Sequence, residues 1–345
     1  MPLIQVNRPY DGSLIKEIRL HNADDVEQAL QVAHGLFRDQ ANWLPAWQRI
    51  AILEKVAEIM STQIDELTRI AAEEGGKPWQ DSKVEVLRAI NGIKLAIEHI
   101  AHIKGEQIPM GQTESSLNRI AFTMREPIGV VLSISAFNHP LNLIIHQVVP
   151  AIAVGTPVII KPALTTPLSC LRFVEILAEA GLSDGWCQCL VCDNENAEKL
   201  VSDERINYLS FIGSANVGWF LRSKLSPGTR CALEHGGAAP VIVEADADFE
   251  PMIDSLLKGG FYHAGQVCVS VQRVFAHESI CEKLAKALAE KANQLIVGDP
   301  LDEKTEVGPL ILAREADRVD EWVAEAAKQG AVVLCGGHRI SETCY

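Results

Sequence analysis

The sequence predicts an α/β fold, in which a doubly wound parallel sheet is followed by a second, incomplete α/β unit. Between residues 129 and 234, five short apolar runs alternate with helix-like stretches, the pattern of parallel strands joined by crossover helices. In the segment before this region, apolar residues recur mainly at helical spacing. In the segment after it, strand-like and helix-like stretches alternate again. The 345 residues give room for about two domains.

The first hundred residues predict amphipathic helices. Apolar residues recur every three or four positions from Asn22 to about His102, and Asn22 with Asp24 supplies an acidic first turn. The following stretch, EQIPMGQTESSLNRIAFT, is polar, alternating and rich in turn residues, which predicts an extended hairpin or arm that serves oligomerisation.

The five strand candidates are GVVLSIS, PVIIK, CQCLV, INYLSFI and TRCALE. Together with the flanking helices they divide the chain into a first domain of residues 1–105 and 124–233, an arm of residues 106–123, and a second domain of residues 234–345. Parallel sheets of this kind bind ligands at the carboxyl ends of their strands. The loops after the strands are therefore where chemistry is expected.

Composition excludes several partners. Lys and Arg total 31 against 45 Asp and Glu, a net charge of −14, so nucleic acid is not an expected partner. The longest apolar region, Leu143 to Ile160, is interrupted by polar residues, Gly and Pro, which predicts a buried helix, turn and strand and no membrane association. Nine cysteines without an export signal predict reduced thiols and a cytoplasmic location.

The cluster WCQCLVC raises the alternative of a metal site. Cys187 and Cys189 lie two apart in a β-prone run, so they are expected to point to one face of a strand and to pack as small hydrophobes. No second pair of Cys or His follows Cys192 at zinc-site spacing, so no metal is predicted.

Four features follow the predicted strands, and a fifth, Cys268, lies 34 residues after Glu234. Asn138 could donate an amide proton to an oxyanion, Lys161 could bind a ribose or phosphate, and Gly213-Ser214 before a helix could hold a phosphate. Glu234 could act as a general base, and Cys268 could attack a carbonyl carbon. Each of the first three also fits an ordinary turn or a solvated side chain.

The order of these motifs resembles the aldehyde dehydrogenase superfamily across essentially the whole chain. The matching segments, in chain order, are EPIGVVLSISAFNHPLNL, GTPVIIKPA, SFIGSANVG, LEHGGAAPVIVEADAD and YHAGQVCVS, and VNRPYDG, EEGGKPW, KVEV and TEVGPLI fit it too. The resemblance implies a dinucleotide-binding first domain, a catalytic second domain, NAD or NADP as cofactor, a small-molecule aldehyde as substrate, and a homodimer or homotetramer.

The resemblance also implies a mechanism. Cys268 forms a thiohemiacetal whose oxyanion is held by Asn138 and the Cys268 N–H; hydride transfer to the nicotinamide gives a thioester, and Glu234 activates the water that hydrolyses it. The cofactor-binding residues that it implies are Ser135, Ala136, Phe137, Lys161, Ala163, Leu164, Gly213, Ser214, Val217 and Gly236. On the substrate side, His139, Tyr262, His263 and Gln266 are expected near the tunnel mouth, although each equally fits a packing role. Arg273 is a further candidate contact for an anionic aldehyde and also fits a solvated or paired charge on a strand.

Three departures from the family pattern bear on function. Leu164 stands where many NAD-preferring members have a glutamate, so either cofactor is open. Gln147 replaces a lysine that a proton relay would use. The chain ends at Tyr345, before the family's Glu-Ile-Phe-Gly-Pro motif, which predicts a catalytic domain that lacks its C-terminal part. The alternative function is accordingly a catalytically impaired fragment that keeps only nucleotide binding.

Overall fold

The computed structural model describes residues 2–345. Its strands are β1 Leu3–Asn7, β2 Leu14–Arg19, β3 Gln107–Ile108, β4 Ala121–Phe122, β5 Val130–Ile134, β6 Val158–Lys161, β7 Cys187–Cys189, β8 Ile206–Ile212, β9 Arg230–Glu234, β10 Val241–Val243 and β11 Val274–Ala276. Its α-helices are α1 Ala23–Arg38, α2 Ala46–Thr62, α3 Ile64–Gly75, α4 Trp79–Ile100, α5 Asn142–Val154, α6 Leu168–Glu179, α7 Asn194–Ser202, α8 Ala215–Lys224, α9 Phe249–Phe261, α10 Glu278–Ala292 and α11 Ala313–Lys328.

The central feature is a five-stranded parallel sheet in the order β7-β6-β5-β8-β9. All five strands are those predicted from the sequence. Every residue of β5 is buried, because helices cover both faces of the sheet. Val131 of β5 packs into a core with α2, α4, α5 and α6, whereas its neighbours Val130 and Leu132 pack into a second core with α1, α7 and α8. The doubly wound architecture is confirmed.

The helix boundaries follow local signals. Asn22 and Asp25 form a reciprocal capping box at the start of α1. Helix α5 ends at Val154 and is capped by Gly155, which adopts the left-handed conformation that glycine accommodates without a Cβ clash. The region from Leu143 to Ile160 is therefore helix, turn and strand, as predicted, and none of the described helices is long and apolar enough to span a membrane.

The second α/β unit contains the parallel pair β10 and β11, with α9 and α10 packed against it around a small core. Residues 106–123 contain the short antiparallel pair β3 and β4, in agreement with the predicted extended hairpin. The domain boundaries and the role of the arm in oligomerisation stay predictions.

One element was not predicted from the sequence. Strands β1 and β2 form an antiparallel hairpin before the first helix. Its inward-facing Val6 and Ile18 pack against Val191 and Leu164. Cys187 and Cys189 pack against the first core, as expected for small apolar side chains, and Cys192 lies in the second core. Among residues 2–345, no cluster of His, Cys, Asp or Glu is placed to hold a metal ion.

Candidate active site

A cavity of about 1160 Å³ lies at the carboxyl edge of the five-stranded sheet. The residues predicted from the sequence that line it are Ser135, Ala136, Phe137, Asn138, Ala163, Gly213, Ser214, Val217, Glu234, Gly236 and Cys268. Lys161 and Leu164 are not among its lining residues. The three candidate catalytic side chains therefore share one cavity, although they come from three separate parts of the chain.

Cys268 is exposed to this cavity at the end of a tight loop. Before it, His263 and Ala264 both adopt left-handed backbone conformations, with φ of 49° and 53°. Such conformations are unfavourable for residues with a Cβ and persist only where the surrounding packing imposes them. The imidazole of His263 is fully buried and lies 6.4 Å, centroid to centroid, from the ring of Phe137.

Glu234 ends strand β9, and the chain then turns towards the Cys268 loop. The Glu234 carbonyl oxygen accepts a hydrogen bond of 3.0 Å from the Gly213 N–H, so the ends of β8 and β9 stay together. A Cβ on Gly237 would lie only 2.8 Å from the Cys268 carbonyl oxygen. Glycine at position 237 thus permits the close approach of the two loops that carry Glu234 and Cys268.

Asn138 is tied to the same loop by its side chain. Its Nδ2 donates to the carbonyl oxygen of Gln266, two residues before Cys268, at 2.8 Å. The Gln266 side chain accepts from the Ile311 N–H at 2.9 Å and donates to the Pro309 carbonyl at 3.3 Å. Because an amide nitrogen carries two hydrogens, one N–H of Asn138 remains for a ligand in the cavity.

Two site-supporting residues were missed by the sequence analysis. Lys77 and Glu85 form a fully buried ion pair behind the Asn138 loop. Lys77 Nζ also contacts the Asn138 carbonyl oxygen at 3.3 Å and His139 Nδ1 at 3.1 Å. Burial, followed by the Lys77 charge, lowers the pKa of His139 to about 4, so its ring is neutral at pH 7.

The expected phosphate-binding turn is a helix start. Ser214 caps α8, and its hydroxyl accepts from the Val217 N–H at 3.5 Å. The positive end of α8 therefore borders the cavity beside Gly213, where an anionic group is favoured. Burial lowers the pKa of Lys161, whose Nζ contacts only the Pro162 carbonyl oxygen, at 3.4 Å.

Gln147, at the position where many members of the resembled family have a lysine, forms hydrogen bonds to two strands of the sheet. Its buried side chain donates to the carbonyl oxygens of Ile134, at 3.2 Å, and Ser210, at 2.9 Å. It thereby bridges the carboxyl ends of β5 and β8 at the cavity wall.

Of the residues expected at the substrate mouth, His139 and Gln266 line the cavity, whereas Tyr262, His263 and the exposed Arg273 do not.

Comparison with known proteins identifies close sequence relatives. The model of the aldehyde dehydrogenase family matches residues 2–344. The 3-sulfolactaldehyde dehydrogenase of Priestia aryabhattai is 38% identical over 337 residues, which cover 97% of this chain and 70% of that protein. The lactaldehyde dehydrogenase of Methanocaldococcus jannaschii is 36% identical, with 99% and 73% covered.

Solved structures give the same similarity in three dimensions. The glyceraldehyde-3-phosphate dehydrogenase GapN of Methanocaldococcus jannaschii, complexed with NADP, superposes with a TM-score of 0.94 at 36% identity, covering 99% of this chain and 74% of that one. Aldehyde dehydrogenase 21 of Physcomitrella patens, in complex with its reaction product succinate, also gives 0.94, at 33% identity, covering 100% and 71%.

Proposed function

The chain belongs to the aldehyde dehydrogenase family, and from this premise we propose that it oxidises an aldehyde to a carboxylic acid with NAD or NADP at the cavity described above. The observation that carries the proposal is the meeting of Asn138, Glu234 and Cys268 around one cavity. A nucleophile, a general base and an oxyanion donor are the three groups that acyl chemistry through a thioester requires.

We infer the following roles for these residues. Cys268 Sγ attacks the aldehyde carbon to give a thiohemiacetal, and the Asn138 amide with the Cys268 N–H stabilises the oxyanion. Bound NAD⁺ or NADP⁺ would supply the hydride acceptor for this carbon. Glu234 then removes a proton from the water that attacks the resulting thioester, which releases the acid and regenerates the thiol.

The cofactor side fits a dinucleotide. The start of α8 and the side-chain-free Gly213 offer room and a positive helix end for the pyrophosphate. Lys161 has only one weak backbone contact, so its ammonium group retains hydrogens for a ribose or phosphate oxygen. Leu164 has no carboxylate that would repel a ribose 2′-phosphate. We therefore expect the chain to accept NADP as well as NAD.

For the substrate we infer an aldehyde that carries an anionic group. Glu85 and Gly92 of α4 face His139 and His146 respectively, and Arg88 lies between them on the same helix face. The Arg88 charge contributes to the lowered pKa of both histidines. Arg88 itself is exposed and does not line the cavity, so we expect it to meet an anionic end of the substrate that reaches beyond the cavity lining.

The arm supports the proposal of a homo-oligomer. Leu117, Ile120 and Phe122 are 56%, 87% and 66% exposed, and a second copy of this chain would cover them. We expect the variant Ile120→Asp to have a smaller mass than the unchanged protein in light scattering. An unchanged mass would contradict an interface through the arm.

The catalytic proposal is tested with two exposed cysteines. Both Cys268 and Cys281 are exposed, but only Cys268 lines the cavity. We expect Cys268→Ser to abolish aldehyde-dependent formation of reduced nicotinamide and Cys281→Ser to leave it unchanged. An active Cys268→Ser enzyme would exclude Cys268 as nucleophile. Thermal stabilisation by NADP without any turnover of the unchanged protein would instead support the nucleotide-binding alternative.

A further inference from the structure

The buried pair Lys77–Glu85 lies outside the residues assigned to the reaction. Lys77 precedes α4 and Glu85 lies in its second turn, and both side chains are 0% exposed. Burial lowers the pKa of Lys77 despite the attraction of Glu85. Burial alone would raise the pKa of Glu85, but the Lys77 ammonium holds it below its usual value. Glu85 is therefore an ionised carboxylate.

The pair holds the segment that carries Asn138 at two points. Lys77 Nζ donates to the Asn138 carbonyl oxygen at 3.3 Å. Glu85 Oε1 accepts from the N–H groups of Leu141 and Asn142, each at 2.9 Å, at the start of α5. The turn between β5 and α5 is thus fixed from behind at its middle, at Asn138, and at its end.

Stability alone is a poor explanation for such a pair. Removing two charges from water costs about as much as their attraction returns, so apolar replacements of similar volume are often neutral or stabilising. What the pair supplies is geometry. The Asn138 side chain is held in front by the Gln266 carbonyl at 2.8 Å, while its backbone is held from behind by Lys77.

We propose that Lys77 and Glu85 are positioning residues for the oxyanion-binding amide of Asn138, an inference that rests on the proposed function. An oxyanion donor acts only when it lies within about 2.7–3.1 Å of the developing charge. Misplacement of a reacting group by about 1 Å lowers rates by about 100-fold. Release of the turn therefore weakens catalysis without removing any group that touches the substrate.

The test is a double-mutant cycle. Lys77→Met/Glu85→Leu removes both charges together and leaves neither one buried alone. We expect kcat to fall about 10- to 100-fold, with KM changed less than about threefold and the rate of Cys268 alkylation unchanged. The matched control is Lys83→Met/Asp65→Leu, an exposed ion pair of 2.9 Å between α4 and α3, which should leave kcat unchanged.

The decisive measurement is the effect of Asn138→Ala in both backgrounds. If the pair acts through Asn138, this substitution costs much less in the Lys77→Met/Glu85→Leu background than in the unchanged protein. Additive losses would overturn the inference. Should the apolar variant fail to fold, Lys77→Gln/Glu85→Gln serves the same cycle with neutral hydrogen-bonding groups.

The outcomes separate this inference from the proposed function. An inactive Cys268→Ser enzyme together with additive losses retains the aldehyde dehydrogenase chemistry and rejects the positioning role. No effect of Asn138→Ala on kcat also rejects the positioning role, because the pair would then have nothing to position. An active Cys268→Ser enzyme rejects the proposed chemistry itself.

Discussion

Gly237 and Cys268 are in such close contact that a methyl group on Gly237 would begin 2.8 Å from the Cys268 carbonyl oxygen. Backbone atoms do not yield at this distance as the end of a flexible side chain would. The contact joins the loop that follows Glu234, the last residue of β9, to the loop of the nucleophile. It fixes the relative position of the proposed base and nucleophile through the main chain.

The variant Gly237→Ala should therefore push these loops apart. We expect kcat to fall about 10- to 100-fold, since small displacements of reacting groups have effects of this size. The rate at which iodoacetamide alkylates Cys268 should also differ from that of the unchanged protein. Gly236→Ala is the matched control for alkylation, because its added methyl group meets no atom within 4 Å. Equal alkylation rates in the two variants would contradict the role of the contact.

Much of this architecture was predictable from the sequence. The five apolar runs between residues 129 and 234 became the five parallel strands because continuous apolar segments joined by helices have few other ways to be buried. The N-terminal hairpin was missed, since Leu3–Asn7 and Leu14–Arg19 are short and each buries only one side chain fully. Two such strands give little periodic signal.

The candidate site was predictable where local chemistry marks it. Asn138 and Glu234 lie at or just after strand ends, and parallel strands collect their carboxyl ends at one edge. Cys268 lies in the loop between α9 and β11, where only its thiol and the resemblance to the family marked it. Lys77 and Glu85 were missed because Lys and Glu in an amphipathic helical segment usually face solvent. Their burial depends on the packing of α4 against α5, which helical periodicity does not encode.

The variant Glu234→Gln tests the proposed hydrolysis step. Loss of a general base typically lowers a rate by about 10² to 10⁴, so we expect one rapid equivalent of reduced nicotinamide followed by slow turnover. Mass spectrometry should detect an acyl group on Cys268 in this variant. Unchanged steady-state turnover would remove Glu234 from the role of base.

The variant Leu164→Glu tests cofactor selection. Leu164 is half-buried in the apolar cluster beside the N-terminal hairpin. A carboxylate there would repel a 2′-phosphate and accept hydrogen bonds from ribose hydroxyls. We expect the ratio of kcat/KM for NADP to that for NAD to fall about tenfold, which corresponds to about 1.4 kcal/mol. A ratio that stays constant would show that this position does not contact the ribose.

The variant Arg88→Leu tests the inferred substrate charge. The carboxylates of Asp81 and Glu85 on the same helix already pair with Lys258 and Lys77, so the exposed Arg88 is not neutralised by them. We expect KM for an anionic aldehyde to rise about tenfold and KM for a neutral aldehyde of similar size to stay constant. The control Lys94→Leu removes the same charge from an exposed position of α4. Equal effects of the two variants would indicate only a general field effect.

The stability of the protein should depend on the protonation of His139. Lys77 donates to His139 Nδ1 at 3.1 Å, which requires a neutral ring, and burial with the Lys77 charge lowers the pKa of His139 from 6.5 to about 4. Between these values the unfolded chain binds a proton that the folded chain does not. The contribution of His139 is therefore fully present above pH 6.5 and is lost as the pH falls towards 4.

This dependence is measured by thermal unfolding between pH 7 and pH 4. The shift in the pKa of His139 corresponds to a loss of at most about 3 kcal/mol in the free energy of unfolding. His139→Phe keeps a ring against Tyr262, with which His139 stacks at 5.9 Å, but removes the titrating group. We expect a smaller decrease of Tm with acidification in this variant, with the remainder owed to groups such as the buried His263, whose pKa burial also lowers. Parallel curves for the two proteins would contradict a neutral, buried His139.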